Sequence, residues 1–253
     1  MSNVIVIGGG AAGMMAAYAA ALCGHQVKLM EQNEKLGKKI FITGKGRCNI
    51  TNASDMDNLF ANVMSNPKFL YSAFYTFNNE QMVGFLEEYG LKMKVERGNR
   101  VFPVSDHSSD VIATLRKALE DKNVEVFLHT KVDHLLVTEK QIKGVGLSDG
   151  REVPADAVIV ATGGFSYQTT GATGDGYRFA EKTGHKLVQR TPSLVPFEIK
   201  EDWAKELQGL SLRNVSVSIY NGKKKLYEDF GEMLFTHFGV SGPLILSASG
   251  MIK

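Results

Sequence analysis

Three glycines near the amino terminus have the spacing that lets a backbone approach a pyrophosphate group: Gly8, Gly10 and Gly13. Gly8 permits a tight turn, Gly10 keeps a Cβ out of the phosphate's path, and Gly13 lets the next helix pack closely on the sheet. The free N–H groups at the start of that helix, including those of Ala11 and Ala12, would then face the phosphates. The pattern predicts a dinucleotide site.

The segments around the glycines have the order that such a site requires. Val4–Ile7 is a short β-branched run typical of a buried parallel strand, and Ala11–Leu22 is rich in helix formers. A second strand, Val27–Met30, ends at Glu31, and Gln32 follows it. The Glu31 carboxylate is placed to bind ribose hydroxyls and would repel a 2′-phosphate, which disfavours NADP at this site. A glycine turn used only for packing would leave Glu31 unexplained.

A long polar loop, residues 36–52, favours FAD over NAD as the dinucleotide. It contains backbone amides next to glycine, cationic side chains and short polar groups, which suit the ribityl chain and second phosphate of a longer cofactor. An ordinary surface loop could contain these residues singly. The candidate cofactor residues in this region are Lys38, Lys39, Gly44, Gly46, Arg47, Cys48, Asn49 and Thr51.

Two later segments add to the predicted cofactor site. A strand over residues 157–161, predicted to be buried, ends at the carboxyl edge of the sheet, where parallel sheets bind ligands. Its last residue and the three that follow are candidates: Ala161, Thr162, Gly163 and Gly164. Asp175 lies at the start of a predicted helix, where it could cap the helix or bind a ribityl hydroxyl.

The remaining pattern predicts an α/β fold in two domains. A Rossmann-type domain with a parallel sheet and a β-meander is expected over residues 1–190, and the start of a mostly antiparallel β domain over 191–253. Strands are expected at 4–7, 27–30, 124–129, 132–138, 141–147, 151–153, 157–161 and 215–220. Helices are expected at 11–22, within 55–89 (best at 79–89), at 106–121, at 174–183, and from about 243.

Three motifs resemble a known family. Gly44–Asn52, Ala161–Gly164 and above all Gly231–Pro243 are similar to the BaiN-like or aminoacetone-oxidase-like FAD flavoproteins of prokaryotes, in the glutathione-reductase-like structural class. The resemblance implies an FAD domain interrupted by an inserted, largely β domain, with Val132 meeting the adenine through its backbone. It also implies two-electron redox chemistry on a small organic substrate, such as amine oxidation or enone reduction, with NAD(P)H or oxygen as candidate co-substrates.

One departure from the family tempers this expectation. Members of the family continue past the motif that ends at Pro243 and return to the FAD domain, whereas this sequence stops at Lys253. The sequence is therefore expected to be an amino-terminal fragment that lacks part of the flavin site and binds FAD poorly. The alternatives are a non-catalytic flavin- or nucleotide-binding protein, an inactive fragment, or an NAD-dependent dehydrogenase.

Composition argues against several other classes of function. The 29 Lys and Arg against 27 Asp and Glu give a formal net charge of only +2, so neither nucleic acid nor a membrane is an expected partner. No secretory signal is visible in the sequence, so a cytoplasmic location is the default expectation. No metal-ligand spacing is visible among the histidines, and His237 is expected to be structural rather than substrate-binding. Cys23 is expected in the core, and Cys48 is expected to be a packing residue rather than a redox thiol.

Overall fold

The computed structural model describes residues 1–252 and divides the chain into two compact units. The first contains residues 1–59 and 68–187, and the second contains residues 60–67 and the chain from Val188 onward. The change of unit after Leu187 comes a few residues before the expected start at 191. The sequence did not indicate that residues 60–67 group with the second unit.

Ten strands and seven α-helices lie between residues 1 and 187. The strands are β1 (Asn3–Ile7), β2 (Gln26–Met30), β3 (Thr51–Asn52), β4 (Met93–Glu96), β5 (Arg100–Pro103), β6 (Glu125–Phe127), β7 (Val132–Thr138), β8 (Gln141–Leu147), β9 (Glu152–Pro154) and β10 (Ala157–Val160). The helices are α1 (Ala11–Leu22), α2 (Lys38–Ile42), α3 (Met56–Ala61), α4 (Tyr71–Thr76), α5 (Asn79–Glu88), α6 (Ser108–Asp121) and α7 (Asp175–Lys182). Short 3-10 turns lie at Thr43–Gly46, Pro67–Leu70 and Gln168–Thr170.

A four-stranded parallel sheet, in the order β10-β1-β2-β6, organises the first unit. In this register Ile7 lies opposite both Val160 and Met30, so the carboxyl ends of three strands meet at one edge. The α/β fold with a parallel sheet is confirmed. The expectation that the strand at residues 157–161 is buried is wrong, because β10 is an edge strand of this sheet and Val160 is 41% exposed.

The side chains of β1 alternate between two cores, as strand geometry requires. Val4 and Val6 pack in a core with residues of α1 and α6, while Ile5 and Ile7 pack in a second core with residues of the β7-β8-β9 meander. Burying a branched aliphatic side chain contributes roughly 1.5–3 kcal/mol, so both faces stabilise the sheet. Cys23 does not join either core. It follows the last residue of α1 and is exposed, which corrects the expectation that it is a core residue.

The second unit is built around an antiparallel sheet, in the order β11-β14-β13-β12. Its elements from residue 188 are β11 (Phe197–Glu198), α8 (Trp203–Glu206), β12 (Ser211–Asn221), β13 (Lys224–Thr236), β14 (Gly239–Ser241) and α9 (Pro243–Met251). Gly222, with φ of +58°, turns the chain between β12 and β13, which form a hairpin of the kind that Asn-Gly pairs favour. Ala204, Phe235, Val240 and Ile245 form its core.

Among the helices of residues 1–252, none combines the length and the apolar character needed to cross a bilayer.

Candidate functional site

A cavity of about 670 Å³ opens at the carboxyl edge of the parallel sheet. Its volume lies in the range of roughly 300–1,000 Å³ that is typical of small-molecule sites. The structure brings most of the predicted residues to its wall: Gly8, Gly10, Ala11, Ala12, Glu31, Gln32, Lys38, Lys39, Cys48, Asn49, Val132, Ala161, Thr162, Gly163 and Asp175. The predicted residues that do not line the cavity are Gly13, Gly44, Gly46, Arg47, Thr51 and Gly164.

The glycines of the first turn serve different purposes. Gly8 has φ of +106°, and a Cβ there would lie 2.6 Å from the carbonyl oxygen of Ala161. A Cβ on Gly13 would overlap the carbonyl oxygen of Gly8. Packing within the protein therefore requires both glycines. Gly10 has φ of −80°, and no atom of the described residues, apart from Gly10 and its two chain neighbours, lies within 4 Å of the position of its Cβ. The fold itself does not need a glycine at position 10, which lines the cavity.

The amino end of α1 at the cavity wall has no side-chain cap. The first intrahelical bond runs from the N–H of Met14 to the carbonyl oxygen of Gly10, 2.9 Å away. The N–H groups of Ala11 and Ala12 precede it and have no acceptor within the helix. Free donors and the positive end of the helix dipole together favour an anion here.

Glu31 is buried at the end of β2, with both carboxylate oxygens already oriented by hydrogen bonds. Oε2 accepts from the N–H of Gly9 at 2.6 Å. Oε1 accepts from the backbone N–H and the Nδ2 of Asn33, at 2.8 and 2.6 Å. These contacts use both lone pairs of Oε1 and one of Oε2, which leaves one acceptor position on Oε2. The carboxylate is therefore preorganised for a further hydroxyl donor.

Asn33 was not among the predicted site residues, although it connects the end of β2 to the loop at Thr170. Its Nδ2 also donates to the carbonyl oxygen of Thr170 at 3.1 Å, and the Nε2 of Gln32 donates to that of Gly171 at 2.8 Å. Thr170 and Gly171 line the cavity, so these two amides hold part of its wall in place. An asparagine two residues after the acid was the only available signal, and it is a weak one.

The two adjacent lysines have different surroundings. The Nζ of Lys38 lies 3.0 Å from Oε2 of Glu34 and donates to Oδ1 of Asn33 at 3.2 Å. Lys39 is partly buried in the cavity wall and forms no ion pair with the residues that the structure describes. Lys39 is therefore the better placed of the two to neutralise an anion.

Only part of the polar loop lines the cavity. Cys48 is buried in the wall, and burial raises the pKa of its thiol, so the unreactive protonated form is favoured. The Arg47 side chain instead forms ion pairs with Glu96 and Asp106, away from the cavity-lining residues. Direct contact between Arg47 and a ligand in this cavity is therefore not supported.

The opposite wall comes from the end of β10 and from α7. The hydroxyl oxygen of Thr162 is buried and has no hydrogen-bond partner among the described residues. Asp175 is the first residue of α7 and does not cap it, because the N-cap is Gly174. Its carboxylate accepts from the hydroxyl of Thr173 and from Nη2 of Arg178, both at 3.0 Å. The capping alternative is therefore wrong, while the ribityl contact stays a prediction.

Comparison with known proteins identifies the family. Residues 2–243 match the family described as HI0933-like protein Rossmann domain. The chain belongs to this family. It is 34% identical over 244 residues to the 3-dehydro-bile acid delta(4,6)-reductase of Clostridium scindens, covering 96% of this chain and 58% of that protein. It is 31% identical over 248 residues to the ribosomal RNA dihydrouridine synthase of Escherichia coli, covering 98% and 60% respectively.

Solved structures support the fold of this HI0933-like chain. Sdh1 of Mycobacterium smegmatis in complex with UQ1 is 22% identical with a TM-score of 0.58, covering 84% of this chain and 45% of that protein. Escherichia coli quinol fumarate reductase FrdA is 16% identical with a TM-score of 0.58, covering 84% and 43%. The flavoprotein family expected from the sequence motifs is confirmed. The chain spans about three fifths of the length of the curated relatives that it matches.

Proposed function

We propose that this chain is the FAD-binding part of an oxidoreductase that reduces a carbon–carbon double bond conjugated to a carbonyl group. The observation that carries the proposal is the cavity edge where Gly10 leaves open space, α1 is uncapped and Glu31 is held ready for a hydroxyl. These three features fit a dinucleotide: an open backbone and an uncapped helix for the pyrophosphate, and a carboxylate for the ribose.

The other cavity residues extend this assignment along the cofactor. Lys39 would neutralise the pyrophosphate, and the backbone of Val132 would meet the adenine. Asn49, Thr162 and Asp175 would offer hydrogen bonds to the ribityl side. When bound, FAD supplies two-electron chemistry by hydride exchange with a carbon atom. The protein positions the substrate and excludes water around it.

The relatives' names favour reduction of a double bond over the amine oxidation that the sequence motifs also allowed. One name describes a delta(4,6)-reductase of a 3-dehydro bile acid, and another describes a dihydrouridine synthase. Both describe addition of two hydrogens across a carbon–carbon double bond near a carbonyl group. For this chain we propose the same overall reaction, with NAD(P)H as the source of electrons.

A second candidate substrate for the same chemistry is a uridine of ribosomal RNA. Two relatives with this activity in their names are 30% and 31% identical to the chain, close to the 34% of the bile acid enzyme. The net charge of +2 favours the small-molecule substrate, because RNA-binding domains usually carry a larger basic excess.

The test is a visible spectrum of the purified full-length protein, followed by anaerobic titration with NADH and NADPH. Flavin that is bleached by a nicotinamide and recovers on addition of a 3-oxo-Δ4 steroid supports the proposal. Recovery of the flavin colour only with unmodified ribosomal RNA supports the second candidate. Recovery of the colour only with the oxidised product of a primary amine supports amine chemistry. Colour that no reductant changes would indicate a non-catalytic flavoprotein, and a colourless protein that takes up no FAD would overturn the proposal.

Replacing Cys48 by serine is expected to change the rate of flavin reduction by only a few-fold. The thiol is buried and protonated, and the other cysteine, Cys23, is exposed at the end of α1, so we expect no catalytic disulfide. Stopped-flow reduction by NAD(P)H measures the effect in the full-length protein. A loss of several orders of magnitude, or a charge-transfer band that vanishes with the thiol, would contradict this expectation.

A further inference from the structure

Four charged side chains form a cluster next to the polar loop. Arg47 donates from Nε and Nη2 to Oδ1 of Asp106, at 2.8 and 2.5 Å. Its Nη1 donates to Oε2 of Glu96 at 3.3 Å, and its Nη2 makes a closer contact with Oε1. Lys94 donates to Oδ2 of Asp106 at 2.6 Å and lies 3.6 Å from Glu96. Two cations thus balance two carboxylates.

The geometry suits arginine in particular. The planar guanidinium reaches two carboxylates at once, and its carbon lies 4.3 Å from the centre of the Phe102 ring, which is buried. Hydrogen bonds from Lys94 and Arg47 lower the pKa of Asp106, and one from Arg47 lowers that of Glu96, so both acids are ionised at neutral pH. A lysine at position 47 could keep the charge but could not span both partners.

The loop that contains Arg47 has an unusual backbone. Lys45 and Cys48 have φ of +58° and +60°, in the left-handed region that non-glycine residues adopt at a cost. Such conformations persist when surrounding structure holds them. Inside the loop, the N–H of Cys48 donates to the carbonyl oxygen of Thr43 at 3.1 Å. The N–H of Ile50 donates to the carbonyl oxygen of Val101 in β5 at 2.9 Å. The Arg47 side chain adds an anchor to β4 and to the turn before α6.

The part of the loop next to this anchor faces the cavity. Cys48, Asn49 and Ile50 directly follow Arg47 and line the cavity wall, whereas Arg47 does not. We propose that Arg47 is a positioning residue, which sets the cavity wall at Cys48–Ile50 without touching the cofactor. The link to cofactor binding rests on the proposed function, while the effect on the wall itself does not.

The test compares Arg47→Ala, Arg47→Lys and Asp106→Asn in a Cys23→Ser background, so that Cys48 is the only thiol. The first measurement is the rate of Cys48 alkylation by iodoacetamide in cofactor-free protein. We expect the alkylation rate to rise about three- to tenfold in Arg47→Ala and Asp106→Asn, because both substitutions break the same network of coupled side chains. We expect a smaller rise in Arg47→Lys. Arg151→Ala is the matched control, because Arg151 forms an exposed ion pair with Asp149 and neither residue lines the cavity.

The second measurement is FAD affinity and the visible spectrum of bound flavin, with thermal unfolding to check that each variant is folded. We expect weaker binding and a shifted spectrum in Arg47→Ala, partial recovery in Arg47→Lys, and no change in Arg151→Ala. Alkylation and FAD affinity that stay at parental values in folded Arg47→Ala and Asp106→Asn would overturn the proposal. If Arg47→Ala does not fold, Arg47→Lys and Asp106→Asn decide the question. A parent that binds no FAD would refute the proposed function, while the alkylation rates would still test the role of Arg47.

Discussion

Gly10→Val is expected to abolish FAD binding while leaving the protein folded. The backbone at Gly10 is in a region that valine adopts readily, and no described residue beyond its two chain neighbours comes within 4 Å of the Cβ position. The branched side chain would therefore occupy cavity space in front of the first turn of α1, where we place the pyrophosphate. Valine is a poorer N-cap residue than glycine by about 1 kcal/mol, which a folded domain tolerates. FAD titration followed by fluorescence, together with thermal unfolding without FAD, measures both effects.

Gly13→Val is the matched control for this substitution. Its Cβ would overlap the carbonyl oxygen of Gly8, so this variant should lose folding as well as binding. The contrast between the two glycines separates a ligand requirement from a packing requirement. A yellow Gly10→Val protein that binds FAD stoichiometrically would refute the assignment of this turn to the pyrophosphate.

Glu31→Ala is expected to weaken FAD binding by about 10- to 100-fold. A hydrogen bond to a charged group contributes about 1.5–3 kcal/mol, and about 1.4 kcal/mol corresponds to a factor of ten in affinity. The substitution also leaves the N–H of Gly9 without its acceptor, so the glycine turn should loosen. Isothermal titration with FAD measures the affinity, and chemical unfolding of the cofactor-free protein measures the loss of stability.

Asn33→Ala separates the two roles of Glu31. It removes one hydrogen bond to Oε1, the bond to Thr170 and the acceptor of Lys38, but keeps the contact between Glu31 and Gly9. We expect it to destabilise the loop at Thr170 with a smaller effect on FAD affinity than Glu31→Ala. Equal affinity of the parent and Glu31→Ala for FAD would show that this carboxylate does not bind the ribose.

Much of the first unit could be predicted because its signals are local. Neighbouring residues alone predict a strand at Val4–Ile7, a turn at the glycines and a helix in the alanine-rich segment that follows. The structure has α1 at the predicted residues. The strands of the meander at Val132–Thr138 and Gln141–Leu147 also have the predicted bounds. Local propensity and tertiary structure agree in these segments.

The sequence by itself determined that the glycine turn, Glu31 and the segment from Ala161 meet at the carboxyl edge of the sheet, since a βαβ unit with parallel strands has few alternatives. Only the tertiary structure decided where the side chains point. Arg47 turns to Asp106, 59 residues away, and Gln32 bonds to Gly171, 139 residues away. The exposure of Cys23 and of the β10 edge likewise depends on which elements pack nearby. Such partners are chosen by contacts between distant parts of the chain, and neighbouring residues carry no signal for them.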